Sequence, residues 1–203
     1  MSHFSYATAG PGGEEQHRVD RARAVPGRWP KSEGALAVVN RDLMATLPGA
    51  DALILVAGPP PRRPSSPGAR GTEQIYVAMA DGRWHGNAVN VCDLEEGEPA
   101  EPQDATVVLT VVADAAQTTV MELLRQVWPV CPEHRIGMHP RPAGTTRGWH
   151  EGETGATGHP VWWCRGAPDG ACHDVAAVGE LAAGLPGRQR RALRRGRRVR
   201  GDR

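Results

Sequence analysis

The feature that most constrains this sequence is a group of cysteines and histidines in its C-terminal part. Cys131 and His134 form a C-x2-H pair, Cys164 follows, and Cys172 and His173 stand side by side further on. Residues 1–20 lack the charged start and apolar run that predict a signal peptide, so we expect the cysteines to act as metal ligands or buried thiols and not as disulfides. Mixed sulfur and nitrogen donors favour zinc over magnesium or calcium. The fold is therefore expected to gather these segments around one ion.

The pairing of two strands selects the fourth ligand. Residues 161–166 and 171–177 read as neighbouring strands, and their register places Cys164 opposite His173. Opposed side chains have Cβ atoms about 4.5–5.5 Å apart and share a face, whereas Cys172 would point to the other face. A slip of one residue would exchange Cys172 and His173. We therefore expect one structural zinc per chain on Cys131, His134, Cys164 and His173, with Cys172 as the substitute for His173.

Three runs in this region carry a resemblance: W-P-V-C-P-E-H at 128–134, V-W-W-C at 161–164 and C-H-D-V-A-A-V-G-E-L at 172–181. They resemble small uncharacterised actinobacterial proteins that end in a zinc-ribbon-like module. The resemblance implies such a β module over residues 128–183 and implies no activity. In the usual zinc ribbon the second knuckle closes after two residues, whereas here the second pair is wider. Cys131 and Cys164 could alternatively be ordinary buried thiols, and residues 139–159 read as a flexible insertion.

The preceding residues predict an α/β or α+β domain over 32–127. A helix is expected at 33–47, capped by Ser32, because apolar residues recur there at three- or four-residue spacing. An apolar strand at 52–57 follows. The rest of the predicted layer is a hairpin of 74–80 and 83–91 around Asp81-Gly82, a β-branched strand at 106–112 and a helix at 115–127.

The two ends of the chain are expected to lie outside this core. Residues 1–31 lack an apolar period and predict a disordered arm. Residues 187–203 hold nine arginines and one aspartate, while the whole chain has a formal net charge of +1, so the remainder is net acidic. An Arg-rich tail over 184–203 is therefore expected, in which the candidate polyanion-binding residues are Arg188, Arg190, Arg191, Arg194, Arg195, Arg197, Arg198 and Arg200.

These patterns favour a non-catalytic function. The sequence has no G-x-S-x-G, no P-loop and no G-x-G-x-x-G that opens a helix after a strand, so hydrolase and nucleotide chemistry have no motif. We expect a cytoplasmic, zinc-binding accessory or adaptor protein that contacts another protein and no membrane. Cys92 is expected to be a small buried hydrophobe. The alternative is a nucleic-acid-associated protein that uses the zinc ribbon and the tail, and an enzyme with a pocket between the two parts is a third hypothesis.

Overall fold

The computed structural model describes residues 22–58, 70–71, 73–91, 93–94, 99–143, 158–166, 172–185 and 187. Helices and small antiparallel sheets alternate along the chain, which confirms the expected α+β class. The helices are α1 (Pro30–Thr46), α2 (Ala105–Leu124) and α3 (Leu181–Gly184). The strands are β1 (Ala22–Arg23), β2 (Ile54–Gly58), β3 (Arg70–Gly71), β4 (Gln74–Ala78), β5 (Asp93–Leu94), β6 (His139–Pro142), β7 (Pro160–Cys164) and β8 (His173–Ala177).

Helix α1 begins three residues before the predicted start. Pro30 occupies its first turn, where a missing N–H costs nothing and the fixed φ suits a helix. Ser32, the predicted cap, instead lies buried inside the first turn, and its N–H and Oγ donate to Glu101 Oε1 at 2.8 and 2.7 Å. The Glu101 carboxylate, which comes from a distant loop, therefore accepts a backbone N–H of the first helical turn, where negative charge is favoured.

The first sheet has the order β1-β2-β4 and is antiparallel throughout. The predicted strand at 52–57 is present as β2 in its centre, two residues later than expected. The segment predicted to be a disordered arm is ordered in its last part, because β1 pairs with β2 and Trp29 is buried. Residues 1–21 lie outside the described residues.

The predicted hairpin is wrong in its second arm. The turn forms, with Met79 N–H donating to the Arg83 carbonyl at 2.8 Å and Gly82 at a φ of 86°. Regular pairing ends at the bridge between Ala78 and Trp84, although the Val89 N–H still donates to the Ile75 carbonyl at 2.7 Å, so 83–91 is not a strand, and β4 pairs with β2. Further along, the side-chain oxygen of Asn90 accepts the Ile75 N–H at 2.8 Å. The Asn90 side chain thus accepts the Ile75 N–H, a role that the backbone of a paired strand would otherwise have.

The predicted strand at 106–112 and helix at 115–127 are wrong, since both belong to the single helix α2. Asp104 caps it by accepting the Thr106 N–H at 2.7 Å, and no glycine or proline interrupts the sequence before Leu124. β-Branched residues cost only a few tenths of a kcal/mol each in a helix. Burial of Val112 and Val120 offsets that cost.

Helix α2 is long and apolar enough to cross a membrane, judged by length and composition alone, with a mean hydropathy of 1.5. It is the one such helix among the described residues. Half of its apolar window is buried inside the protein, where the helix packs against α1, β4 and β6. A central core helix has the same composition, and the packing of α2 accounts for its apolar character.

The second sheet has the order β6-β7-β8 and is also antiparallel. Strand β6 corrects the expectation of a flexible insertion at 139–159, because residues 139–142 pair with β7. Residues 144–157 lie outside the described residues. The two predicted strands are present as β7 and β8, with an irregularity between Trp162 and Trp163.

The two predicted parts of the chain share one hydrophobic core. A single cluster of buried residues joins Val39 of α1 and Val112 of α2 to Trp162 of β7 and to Cys131 and Cys164. The region that contains the second sheet is therefore packed on the helices. We use the term metal module for residues 128–143, 158–166 and 172–184, and helical layer for α1, α2 and the sheet β1-β2-β4.

Two predictions fall on residues that the structure leaves undescribed. Cys92, the predicted buried thiol, is one of them. The other is the Arg-rich tail beyond 187, which contains the candidate polyanion-binding residues Arg188, Arg190, Arg191, Arg194, Arg195, Arg197, Arg198 and Arg200.

Candidate metal centre

Four of the predicted ligand residues meet at one point of the metal module. One side-chain atom each from Cys131, His134, Cys164 and His173 lies within 4.8 Å of the other three. His134 Nδ1 is 3.7 Å from Cys131 Sγ and 3.6 Å from Cys164 Sγ. His173 Nε2 is 3.9 Å from Cys131 Sγ. This cluster can hold a metal ion.

A tight turn brings Cys131 and His134 together. The Arg135 N–H donates to the Cys131 carbonyl at 3.0 Å, and the Cys131 N–H donates to the Ile136 carbonyl at 2.9 Å. Arg135 adopts the left-handed region with a φ of 59°, which reverses the chain. The His134 N–H also points at Cys131 Sγ, at 3.5 Å. The turn therefore aims a backbone donor and an imidazole at the same sulfur.

The other two residues of the cluster come from paired strands. Cys164 at the end of β7 lies opposite His173 at the start of β8, which is the predicted register. Directly opposed residues share a face of the sheet, so both side chains reach the cluster. The Gly166 N–H points at Cys164 Sγ at 3.4 Å. Each sulfur of the cluster thus receives one backbone N–H, an arrangement that favours the thiolate form.

Cys172, the predicted substitute for His173, is not part of the cluster. It lies one residue before β8 and is exposed, whereas Cys131 and Cys164 are buried. All three are free thiols. The strand register therefore places His173, and not its neighbour Cys172, at the cluster, because successive side chains along a strand point to opposite faces.

Burial governs the electrostatics of the sulfurs. Both cysteines are 0% exposed. Desolvation raises the pKa of the Cys164 thiol above its usual value, and the neighbouring Cys131 and Glu133 raise it further, while the Gly166 N–H lowers it. Two buried thiolates side by side need a positive charge to be stable. A divalent cation between them would supply that charge and deprotonate both thiols.

Asp42 of α1 anchors the metal module to the helical layer, a role that sequence reasoning missed. Its buried carboxylate accepts hydrogen bonds from Trp162 Nε1 at 2.7 Å, Gly179 N–H at 2.6 Å and Leu181 N–H at 2.8 Å. Desolvation raises the pKa of Asp42, against the lowering effect of these donors. The only signal available in the sequence was an acidic residue on the apolar face of α1.

Side-chain hydrogen bonds from α1 and α2 also fix the segment around Cys131. Gln117 of α2 donates through Nε2 to the Trp128 carbonyl at 3.0 Å and also to the Met138 carbonyl. Trp128 Nε1 donates to Thr46 Oγ1 of α1 at 2.9 Å. The chain on both sides of Cys131 is thereby fixed to α1 and α2 by buried polar contacts.

A surface cleft of about 490 Å³ lies elsewhere, between the segment 47–51, the turn 79–83 and the C-terminal end of α2. Two of its charged side chains, Asp81 and Arg83, form an ion pair at 2.8 Å. None of the four cluster residues lines this cleft. It is therefore separate from the candidate metal centre and does not lie between the helical layer and the second sheet.

Comparison of this chain with protein-family models, with curated proteins and with solved structures finds no match.

Proposed function

We propose that this protein is a zinc-binding accessory protein that acts through contact with another protein. One zinc ion per chain is held by Cys131, His134, Cys164 and His173, and its role is structural. The observation that carries the proposal is the closed set of four side chains. A catalytic zinc keeps one position for water, whereas four protein ligands fill a tetrahedral shell.

Distances and donor types within the cluster support zinc over magnesium or calcium. Zinc bonds of about 2.3 Å to sulfur and about 2.0 Å to nitrogen give tetrahedral sulfur–nitrogen edges of about 3.5 Å. The observed edges of 3.6, 3.7 and 3.9 Å are close to this value. Magnesium and calcium prefer oxygen ligands, so two thiolates and two imidazoles do not suit them.

An exposed apolar patch at the edge of the metal module supports a contact function. Val127 and Val130 are exposed, and Val130 pairs with Gly137 across a bridge. A Cβ built on Gly137 would lie 3.1 Å from Val127 Cγ1, which places the two valine side chains over one face. Contiguous apolar surface of larger extent marks protein contact sites, and these two side chains would form part of such a surface.

The test of the zinc proposal is the metal content of the full chain purified under reducing conditions without added metal. We expect one zinc per chain, which is lost in Cys131→Ser and Cys164→Ser and kept in the matched Cys172→Ser control. Cobalt substitution should give the visible bands of a tetrahedral ion with sulfur ligands. Wild-type protein that binds no metal would overturn the proposal.

The contact proposal has its own test. Partners recovered with the tagged wild-type chain should be lost when Val127 and Val130 are both replaced by Asp, and retained when exposed Val25 is replaced by Asp. Recovery of the same partners with the double variant would contradict a role for this patch.

The alternative function is nucleic-acid association through the metal module and the Arg-rich tail. It is supported by the nine arginines between 187 and 203. Binding through that segment would be strongly salt-dependent, since each neutralised phosphate releases counterions. Fluorescence anisotropy with duplex and single-stranded DNA decides this point. Salt-sensitive binding that disappears on deletion of 187–203 would favour the alternative over the protein-contact function.

A cytoplasmic location is part of the proposal. Zinc binding requires the cysteines to be reduced, and the cytosol keeps thiols reduced. The three described cysteines are free, in agreement with this requirement. Cell fractionation should recover the protein with cytosolic markers, and recovery with membranes would contradict this part.

A further inference from the structure

Glu133 stands between two cluster residues in the chain and next to both imidazoles in space. Its Oε1 is 3.9 Å from His134 Nε2, and its Oε2 is 3.7 Å from His173 Nε2. Its side chain is 71% exposed. One exposed carboxylate therefore lies at the edge of the cluster, in contact range of the two ligands that face solvent.

The cluster has a closed side and an open side. Both sulfurs are fully buried, whereas the side chains of His134 and His173 are 18% and 33% exposed. Among the four cluster residues, the two imidazoles are therefore the ones that reach solvent in the described part of the chain. His173 is the more exposed of the two, so it is the ligand that solvent and an incoming ion meet most readily.

Glu133 contacts the two histidines differently, because the ring nitrogen that faces it also faces a sulfur in only one of them. His134 turns Nδ1 toward both sulfurs and Nε2 toward Glu133, whose carboxylate can accept its N–H. His173 turns one atom, Nε2, toward both Cys131 Sγ at 3.9 Å and Glu133 Oε2 at 3.7 Å. If His173 rotated away, the Glu133 carboxylate would be an oxygen donor beside the position that His173 Nε2 had left.

We propose that Glu133 is the loading ligand of the metal centre, which captures hydrated Zn²⁺ at the open side and replaces His173 while the ion enters or leaves. This inference rests on the zinc site proposed above. In this scheme the carboxylate would replace one water of the ion, the two thiolates and His134 would replace the remaining waters, and His173 would finally displace Glu133. The two thiol protons pass to solvent. The final site keeps its two sulfurs and two nitrogens.

A ligand that acts only during exchange speeds both directions equally, because uptake and release pass through the same intermediate. The exposed negative charge also raises the local concentration of a divalent cation. Glu133→Gln keeps the size and a hydrogen-bond acceptor but removes the charged oxygen. It should therefore slow uptake and release while changing the zinc Kd far less.

The experiment is stopped-flow exchange of Zn²⁺ between the full-length protein and a chromophoric chelator, in both directions. We expect Glu133→Gln to slow uptake and release each by about tenfold or more. Glu133→Asp, which keeps the charge, should recover part of the rate, and Glu180→Gln, another exposed glutamate of the metal module, should match the wild type. Circular dichroism of each variant confirms that it is folded.

Three outcomes would overturn the inference. Unchanged rates would show that Glu133 takes no part in exchange. Faster release with a 10–100-fold loss of affinity would show a carboxylate that only orients His134 in the bound state. Failure of the wild type to bind zinc would overturn the proposed function as well, so the two failures are distinguishable.

Discussion

The helical layer and the metal module reach a fixed structure by different means. The helical layer buries many aliphatic side chains, such as Val39, Leu43 and Val112, which are 0% exposed. The metal module has short strands and also buries side chains such as Trp162 and Met138, but it is fixed in addition by specific polar contacts from Asp42 and Gln117 and contains the Cys/His cluster. A small region with few aliphatic residues usually needs such additional support. The shared core then makes each region depend on the other.

Removal of zinc should cause the largest loss of stability. Free zinc at about a thousandfold above Kd stabilises the folded state by about 4 kcal/mol, which corresponds to roughly 10 °C in Tm for a chain of this size. Thermal melting of the wild type with and without a strong chelator measures the change. Cys131→Ser should melt at the low temperature under both conditions, and a wild-type Tm that does not respond to the chelator would contradict the account.

Asp42→Asn should sever the main polar link between the two regions. The amide nitrogen of Asn cannot accept a hydrogen bond, so at least one of three buried N–H donors loses its partner, at a cost of about 1–3 kcal/mol. Urea unfolding measures the loss. Asp51→Asn, at an exposed position before β2, is the matched control and should change stability by less than about 0.5 kcal/mol. Equal effects of the two substitutions would show that the link is not specific.

Glycine to alanine substitutions at two positions should change the free energy of unfolding in opposite directions. Gly179 has a φ of 95°, and a Cβ there would lie 2.6 Å from Val38 Cγ1 of α1, so Gly179→Ala should destabilise by about 1–3 kcal/mol. Gly34 lies exposed in α1 with nothing within 4 Å of its Cβ position, so Gly34→Ala should stabilise by about 0.5–1 kcal/mol. Urea unfolding of both variants tests the contact, and tolerance of Gly179→Ala would contradict it.

The smallest expected effect is a pH dependence that originates at Asp42. Because burial raises the pKa of Asp42 in the folded state, the folded protein binds its proton more tightly than the unfolded chain does. The contribution of Asp42 to stability is therefore fully present below its ordinary pKa of about 4 and decreases as pH rises toward the folded value. The stability difference between wild type and Asp42→Asn should shrink from about pH 4 to pH 7. A stability difference that grows over this pH range would contradict this prediction.

Sequence reasoning succeeded where a local pattern carries the information. The spacing of Cys131 and His134 and the strand register of Cys164 and His173 bring the four residues together as predicted. It failed on α2, because a short β-branched run is typical of a strand unless its burial on a neighbouring helix is known. It also missed Asp42, since its donors come from residues more than a hundred positions away in the chain.

The measurement that tests the central claim most directly is hydrogen exchange of the full chain with and without zinc, followed peptide by peptide. If one core joins the metal centre to the helices, zinc should increase protection in α1 and α2 as well as in β7 and β8. Protection that increases only within the metal module, with α1 and α2 unchanged, would contradict the account and would make the metal module an independent unit.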